Sequence, residues 1–65
     1  MKINRIALRL AIGERSQQEV ADLAGVSRQT VSSVLNSGGA NFRTILALAR
    51  ALNVKPTTLI HEDEL

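Results

Sequence analysis

The 65 residues contain no cysteine, tryptophan or tyrosine, and only one phenylalanine, one proline and one histidine. Without thiols there is no disulfide framework, thiolate zinc site or cysteine nucleophile. Small secreted scaffolds usually need such staples, so an intracellular chain is the expectation. One aromatic ring cannot build the stacking platforms on which single-stranded nucleic acids lie. The lone His61 stands beside Glu62, Asp63 and Glu64, but without a second histidine or a rigid surrounding shell no metal site is expected. Serines are plentiful, yet no histidine falls near them to act as base, so no enzyme is expected either. Gly38-Gly39 follows a helical segment and lacks the Lys-Ser/Thr ending of a phosphate-binding loop, so nothing requires a cofactor.

Long apolar runs are also missing. Residues 6–8 are interrupted by Arg9, and residues 45–52 by Arg50, far short of the roughly 18 apolar residues of a spanning helix. Lys2, Arg5 and Arg9 among Ile and Leu look superficially like a basic presequence. A membrane-surface role for this segment ranks last, because Ile3, Ile6 and Leu10 are expected in the core. Glu62-Asp63-Glu64-Leu65 looks superficially like a retention tail; with no signal peptide ahead of it, a solvated acidic end is expected. The domain is therefore expected to span residues 1–61, with residues 62–65 as an acidic tail.

Of what is present, 45% is apolar, enough for a folded chain, though one this short buries only about 60% of its unfolded surface. Eight basic residues against six acidic give a net charge of +2. Set aside the three tail acids, and eight bases face three acids, leaving +5. A basic body suggests a polyanionic partner.

The apolar residues recur at helical spacing and no strand is predicted. Ile3, Ile6, Ala7 and Leu10 form a first stripe, closed by Gly13. Ser16-Gln17-Gln18-Glu19 fits a capping box opening a helix with Val20, Ala21, Leu23 and Ala24, which Gly25 ends. Ser27 caps the next helix, with Val31, Val34 and Leu35 inward; its valines and serines give it modest propensity, so packing must hold it. After the loop from Asn36 to Gly39, Asn41 caps a fourth helix carrying Ile45, Leu46, Leu48, Ala49 and Leu52. Asn53 is a left-handed stop, and Pro56 opens a short fifth helix with Leu59 and Ile60.

The informative stretch is residues 17–36: two short helices joined by a tight turn at Gly25, with Val26 at the bend. Such a turn sets the second helix steeply across the first, so its outer face projects. That face carries Arg28, Gln29, Ser32 and Ser33, a guanidinium, an amide and short hydroxyls suited to base edges in a major groove.

Here the chain resembles the Cro/phage-repressor (Xre-type) helix–turn–helix family over nearly its whole length. The resemblance is carried by Ser16-Gln17-Gln18-Glu19-Val20-Ala21, Gly25-Val26-Ser27, Thr30-Val31-Ser32 and Ile45-Leu46-Ala47-Leu48-Ala49-Arg50-Ala51-Leu52-Asn53-Val54. Val20-Ala21, Ala24-Gly25-Val26-Ser27, Thr30-Val31-Ser32 and Val34-Leu35-Asn36 also resemble the headpiece of the Lac-repressor family, which lacks a full helix before its first helix–turn–helix helix. The Cro-type resemblance implies an all-α, five-helix, lambda-repressor-like DNA-binding domain. It implies base reading by Arg28, Gln29 and Ser33, with Thr30 and Ser32 as secondary contacts. It also implies phosphate contacts from Gln17, Asn36, Asn41 and Arg43, and a bacterial or phage-encoded protein in the cytoplasm, associated with the nucleoid. Many members bury an Arg–Glu pair between the first and third helices; Leu10 and Leu35 stand at those positions, and packed leucines are often neutral or stabilising there.

One copy of so short a chain makes few contacts with double-stranded DNA, so a repressor acting as a homodimer is expected, with half-sites about 34 Å apart. Leu59, Ile60 and Leu65 are the candidate exposed apolar residues for that dimer. The alternative is an antitoxin-like or anti-repressor module whose main partner is another protein.

Overall fold

Each of the first four helices starts where a polar side chain satisfies an otherwise orphaned amide. In a computed structural model, describing residues 1–64, the elements are α1 (Arg5–Ile12), α2 (Gln17–Ala24), α3 (Arg28–Ser37), α4 (Phe42–Ala51) and α5 (Pro56–Leu59). Asn4 Oδ1 accepts from the Ala7 amide at 3.0 Å, Ser16 Oγ from Glu19 at 3.1 Å, Ser27 Oγ from Thr30 at 3.1 Å and Asn41 Oδ1 from Thr44 at 2.9 Å. The expected capping box is complete, since the Ser16 amide donates to the Glu19 carboxylate at 3.3 Å. Lys55 makes no side-chain cap for α5, which begins instead on Pro56. Asn53 is left-handed at φ 57°, as expected of a stop after α4.

α2 packs against both α3 and α4, and α5 joins α4 to α1. Between them lies one core that includes Leu8, Val20, Val31, Ile45, Leu48 and Leu59, all fully buried. Burying side chains of this size contributes about 1.5–3 kcal/mol each. The described residues contain no strand, only two isolated antiparallel bridges, Lys2 with Gly39 and Ile3 with Ile60.

The start of α1 and the burial of several apolar residues differ from expectation. Ile3 is buried but precedes α1, because Asn4 is the cap; its amide donates to the Gly38 carbonyl at 2.8 Å and that of Asn4 to the Leu59 carbonyl at 2.8 Å. The cap sets the phase of the helix, so Leu8 and Ile12 turn inward while Ile6 and Leu10 are 73% and 78% exposed. Leu10 therefore does not pack in the interior with Leu35, which is buried. Leu23 is also exposed. Conversely, Leu59 and Ile60, expected on the surface, are in the core: α5 lies between α1 and α4, and Ile60 is held beside Ile3. Leu65 lies outside the described residues. The acidic end turns through a short 3-10 helix, Glu62–Glu64.

Candidate nucleic-acid interface

The turn between α2 and α3 is three residues long. Gly25 takes the left-handed conformation (φ 71°, ψ 29°), which costs glycine nothing and other residues about 1–2 kcal/mol. Its amide and that of Val26 both donate to the Ala21 carbonyl, folding the half-buried Val26 back against the core. Ala21 is fully buried in the core cluster, where a larger side chain would have to displace packed neighbours. Val31, Val34 and Leu35 then fix the inner face of α3, and the remaining residues of that helix project outward.

Gln17, Arg28, Gln29 and Ser32 line one open groove between the start of α2 and α3. A second, on the other flank of α3, is lined by Ser27, Gln29, Thr30, Ser33, Val34, Ala40 and Thr44. Gln29 borders both and so stands on the ridge of the helix. Asn36 Nδ2 donates to Ser32 Oγ at 3.5 Å, one turn further along the same face. Asn41 and Arg43 are exposed at the start of α4, outside both grooves.

Not all of these side chains are equally available. The Thr30 hydroxyl is 2.9 Å from Ser27 Oγ and is occupied in closing the first turn of α3. Asn41 Oδ1 is taken by the Thr44 amide, which leaves its Nδ2 to donate outward. Arg28, Gln29, Ser33 and Arg43 are exposed. Ser27 and Thr44 were missed as groove-lining residues. The sequence shows Ser27 only as a cap, and nothing in it brings Thr44, from α4, to the flank of α3.

The electrostatics of these helix starts favour an anion. Arg28 is the first residue of α3 and Arg43 the second of α4, and neither helix has an acid in its first turn. Helix N-termini carry partial positive charge and prefer Asp or Glu, so both arginines stand where stability alone would not place them. An incoming phosphate reverses that balance, meeting amide dipole and guanidinium together.

A projecting helix flanked by two grooves and joined to its neighbour by a left-handed glycine turn defines a helix–turn–helix DNA-binding domain. A family model described as helix–turn–helix matches residues 7–59, and the chain belongs to that family, the Cro/C1-type, Xre-like DNA-binding transcription regulators. No curated protein and no solved structure gives a match. Among the described residues, no helix is long and apolar enough to cross a membrane.

Proposed function

We propose that the chain is a repressor that binds a palindromic operator as a homodimer in the cytoplasm and so occludes a promoter. α3 enters the major groove, with Arg28, Gln29 and Ser33 on base edges and Thr30 and Ser32 in support. Gln17, Asn36, Asn41 and Arg43 bond phosphates, which fix register without carrying sequence information. The observation that carries the reading is the groove holding Gln17, Arg28, Gln29 and Ser32 together. There Gln17 of α2 and Arg28, Gln29 and Ser32 of α3 face the same side. Arginine pairs best with O6 and N7 of guanine, so each half-site should contain a G·C pair opposite Arg28.

Selection from random duplex DNA tests this. Recovery of a palindrome with half-sites about one helical turn apart is expected. Arg28→Ala and Gln29→Ala should each lose about 1–3 kcal/mol at one base position and relax its preference. Equal weakening on every sequence would make Arg28 a phosphate clamp. Failure to enrich any sequence would favour the protein-interaction alternative.

A further inference from the structure

α1 is apolar on two opposite faces, and the fold covers only one. Its large apolar residues stand at alternate positions, so Leu8 and Ile12 make one pair four residues apart and Ile6 and Leu10 another. At 100° per residue the two pairs project about 200° apart. Leu8 and Ile12 are buried, whereas Ile6 and Leu10 are, at 73% and 78%, the most exposed large apolar side chains among the described residues. A surface helix normally carries charge opposite its core face. Here the charges, Arg5 and Arg9, are set to one side of the exposed pair, also four residues apart.

We propose, resting on the dimeric reading above, that this outer face of α1 is the dimerisation surface and that its occupant is α1 of a second copy, packed antiparallel. A two-fold interface must be complementary to itself, and this region holds both signs of charge around the apolar pair. The chain end returns to the start of α1: the His61 amide donates to the Lys2 carbonyl at 3.0 Å. His61 lines one groove with Lys2, Arg5 and Ile6, so Glu62 and Asp63 leave the domain at the N-terminal end of the exposed face. Antiparallel packing brings that acidic end to the last turn of the partner helix, where Arg9 is the basic residue. Each copy then contributes Ile6 and Leu10 to the seam, with Glu62 and Asp63 at one end and Arg9 at the other. A standard interface takes about 800 Å² from each partner, roughly a fifth of the 4281 Å² this chain exposes. A single helix pair covers less, so the dimer is weak in free solution and tightens when two copies occupy adjacent half-sites.

Sedimentation equilibrium of the intact chain without DNA tests the surface independently of DNA reading. The chain should self-associate below about 1 mM. Ile6→Lys with Leu10→Lys should weaken association by about tenfold or more while leaving the thermal melt and binding to a single half-site unchanged. Leu23→Lys, at an exposed leucine on α2, should leave association intact. Arg9→Glu should weaken the dimer, and adding Glu62→Arg and Asp63→Arg should restore it. A chain that stays monomeric, association unaffected by the Ile6/Leu10 variant, or no rescue by the charge exchange would overturn the proposal. Absence of duplex-DNA binding by the unsubstituted chain, with the association series as expected, would overturn the repressor reading alone.

Discussion

The Arg5 guanidinium donates to the main-chain carbonyl of Asn36 at 3.2 Å, tying the start of α1 to the last turn of α3. The carbonyls at a helix C-terminus are short of partners and carry partial negative charge, so a cation is well placed there. The arginine reaches them by lying across Gly38, which ends α3 in the left-handed conformation at φ 71°. With Leu10 exposed and no ion pair possible between Leu10 and Leu35, this bond from Arg5 is a direct polar link between α1 and α3.

Gly38 and Gly25 share the same φ but not the same surroundings. A Cβ at Gly25 would meet nothing within 4 Å, whereas one at Gly38 would stand 3.0 Å from Arg5 Nε. Gly25→Ala should therefore cost only the backbone term, about 1–2 kcal/mol. Gly38→Ala should cost more, because the arginine must move and give up its bond. In an Arg5→Ala background the excess should vanish, leaving the two alanine substitutions with similar costs. Urea titrations of the four Arg5/Gly38 combinations measure that coupling directly. Coupling indistinguishable from zero would mean the Arg5 side chain shifts aside freely.

Leu8 and Leu10, two residues apart on α1, should respond in opposite ways to truncation. Leu8 is fully buried, and Leu→Ala at such a site costs about 2–5 kcal/mol. A domain of this size has a total stability of only about 3–10 kcal/mol, so Leu8→Ala should remove a large share of it and lower the melting temperature by about 8 °C or more. Leu10→Ala removes an exposed side chain and should stay within about 0.5 kcal/mol of the parent. Circular-dichroism melts of dilute protein distinguish the two. A large cost at Leu10 would show that its side chain is buried within the monomer.

That pair also shows where the sequence stops being informative. The caps at Ser16, Ser27 and Asn41, the stops at Gly25 and Asn53, and the inward valines of α3 were legible because each rests on chemistry local to a turn. The phase of α1 was not. Apolar residues at 6, 8, 10 and 12 fit two helical stripes equally well, and the deciding facts are the Asn4 cap and the pairing of residues 1–3 with residues 38–40 and 59–61. Those contacts join distant parts of the chain, and no local pattern announces them. The same holds for Leu59 and Ile60, which looked terminal and exposed but close the core, and for Thr44 beside α3. The outward residues of α3 were legible as a set, because fixing the inner face of a helix fixes its outer face as well.

Asn41 holds two roles that one atom can separate. Its Oδ1 caps α4 through the Thr44 amide, and its Nδ2 is the group proposed to meet a phosphate. Asn41→Asp keeps an equally good cap but replaces the donor with a negative charge. The variant should melt at or above the parent temperature while its DNA affinity falls by about tenfold or more. Asn41→Ala should instead lose about 1 kcal/mol of stability and have the smaller effect on binding. Equal DNA affinities for the parent and Asn41→Asp would remove Asn41 from the phosphate contacts.

The arginines at the helix starts provide the sharpest separation of stability from function. Arg28 and Arg43 lie in the first turns of α3 and α4, where the helix dipole favours an acid by about 0.3–1 kcal/mol. Arg28→Glu and Arg43→Glu should therefore each stabilise the free protein modestly. The double variant should gain several degrees in melting temperature, since about 1 kcal/mol moves a domain of this size by roughly 4–8 °C. Both should bind duplex DNA far more weakly, and in different ways. Arg43→Glu should weaken every sequence and lower the salt dependence, because each lost phosphate contact removes about 0.9 from the slope of log K against log salt concentration. Arg28→Glu should also abolish the preference for guanine at its base position. Salt titrations on operator and on unrelated duplex DNA resolve the two effects. A melting temperature that falls in both variants would mean the arginines support the fold itself, and the case for an anion at these helix starts would be lost.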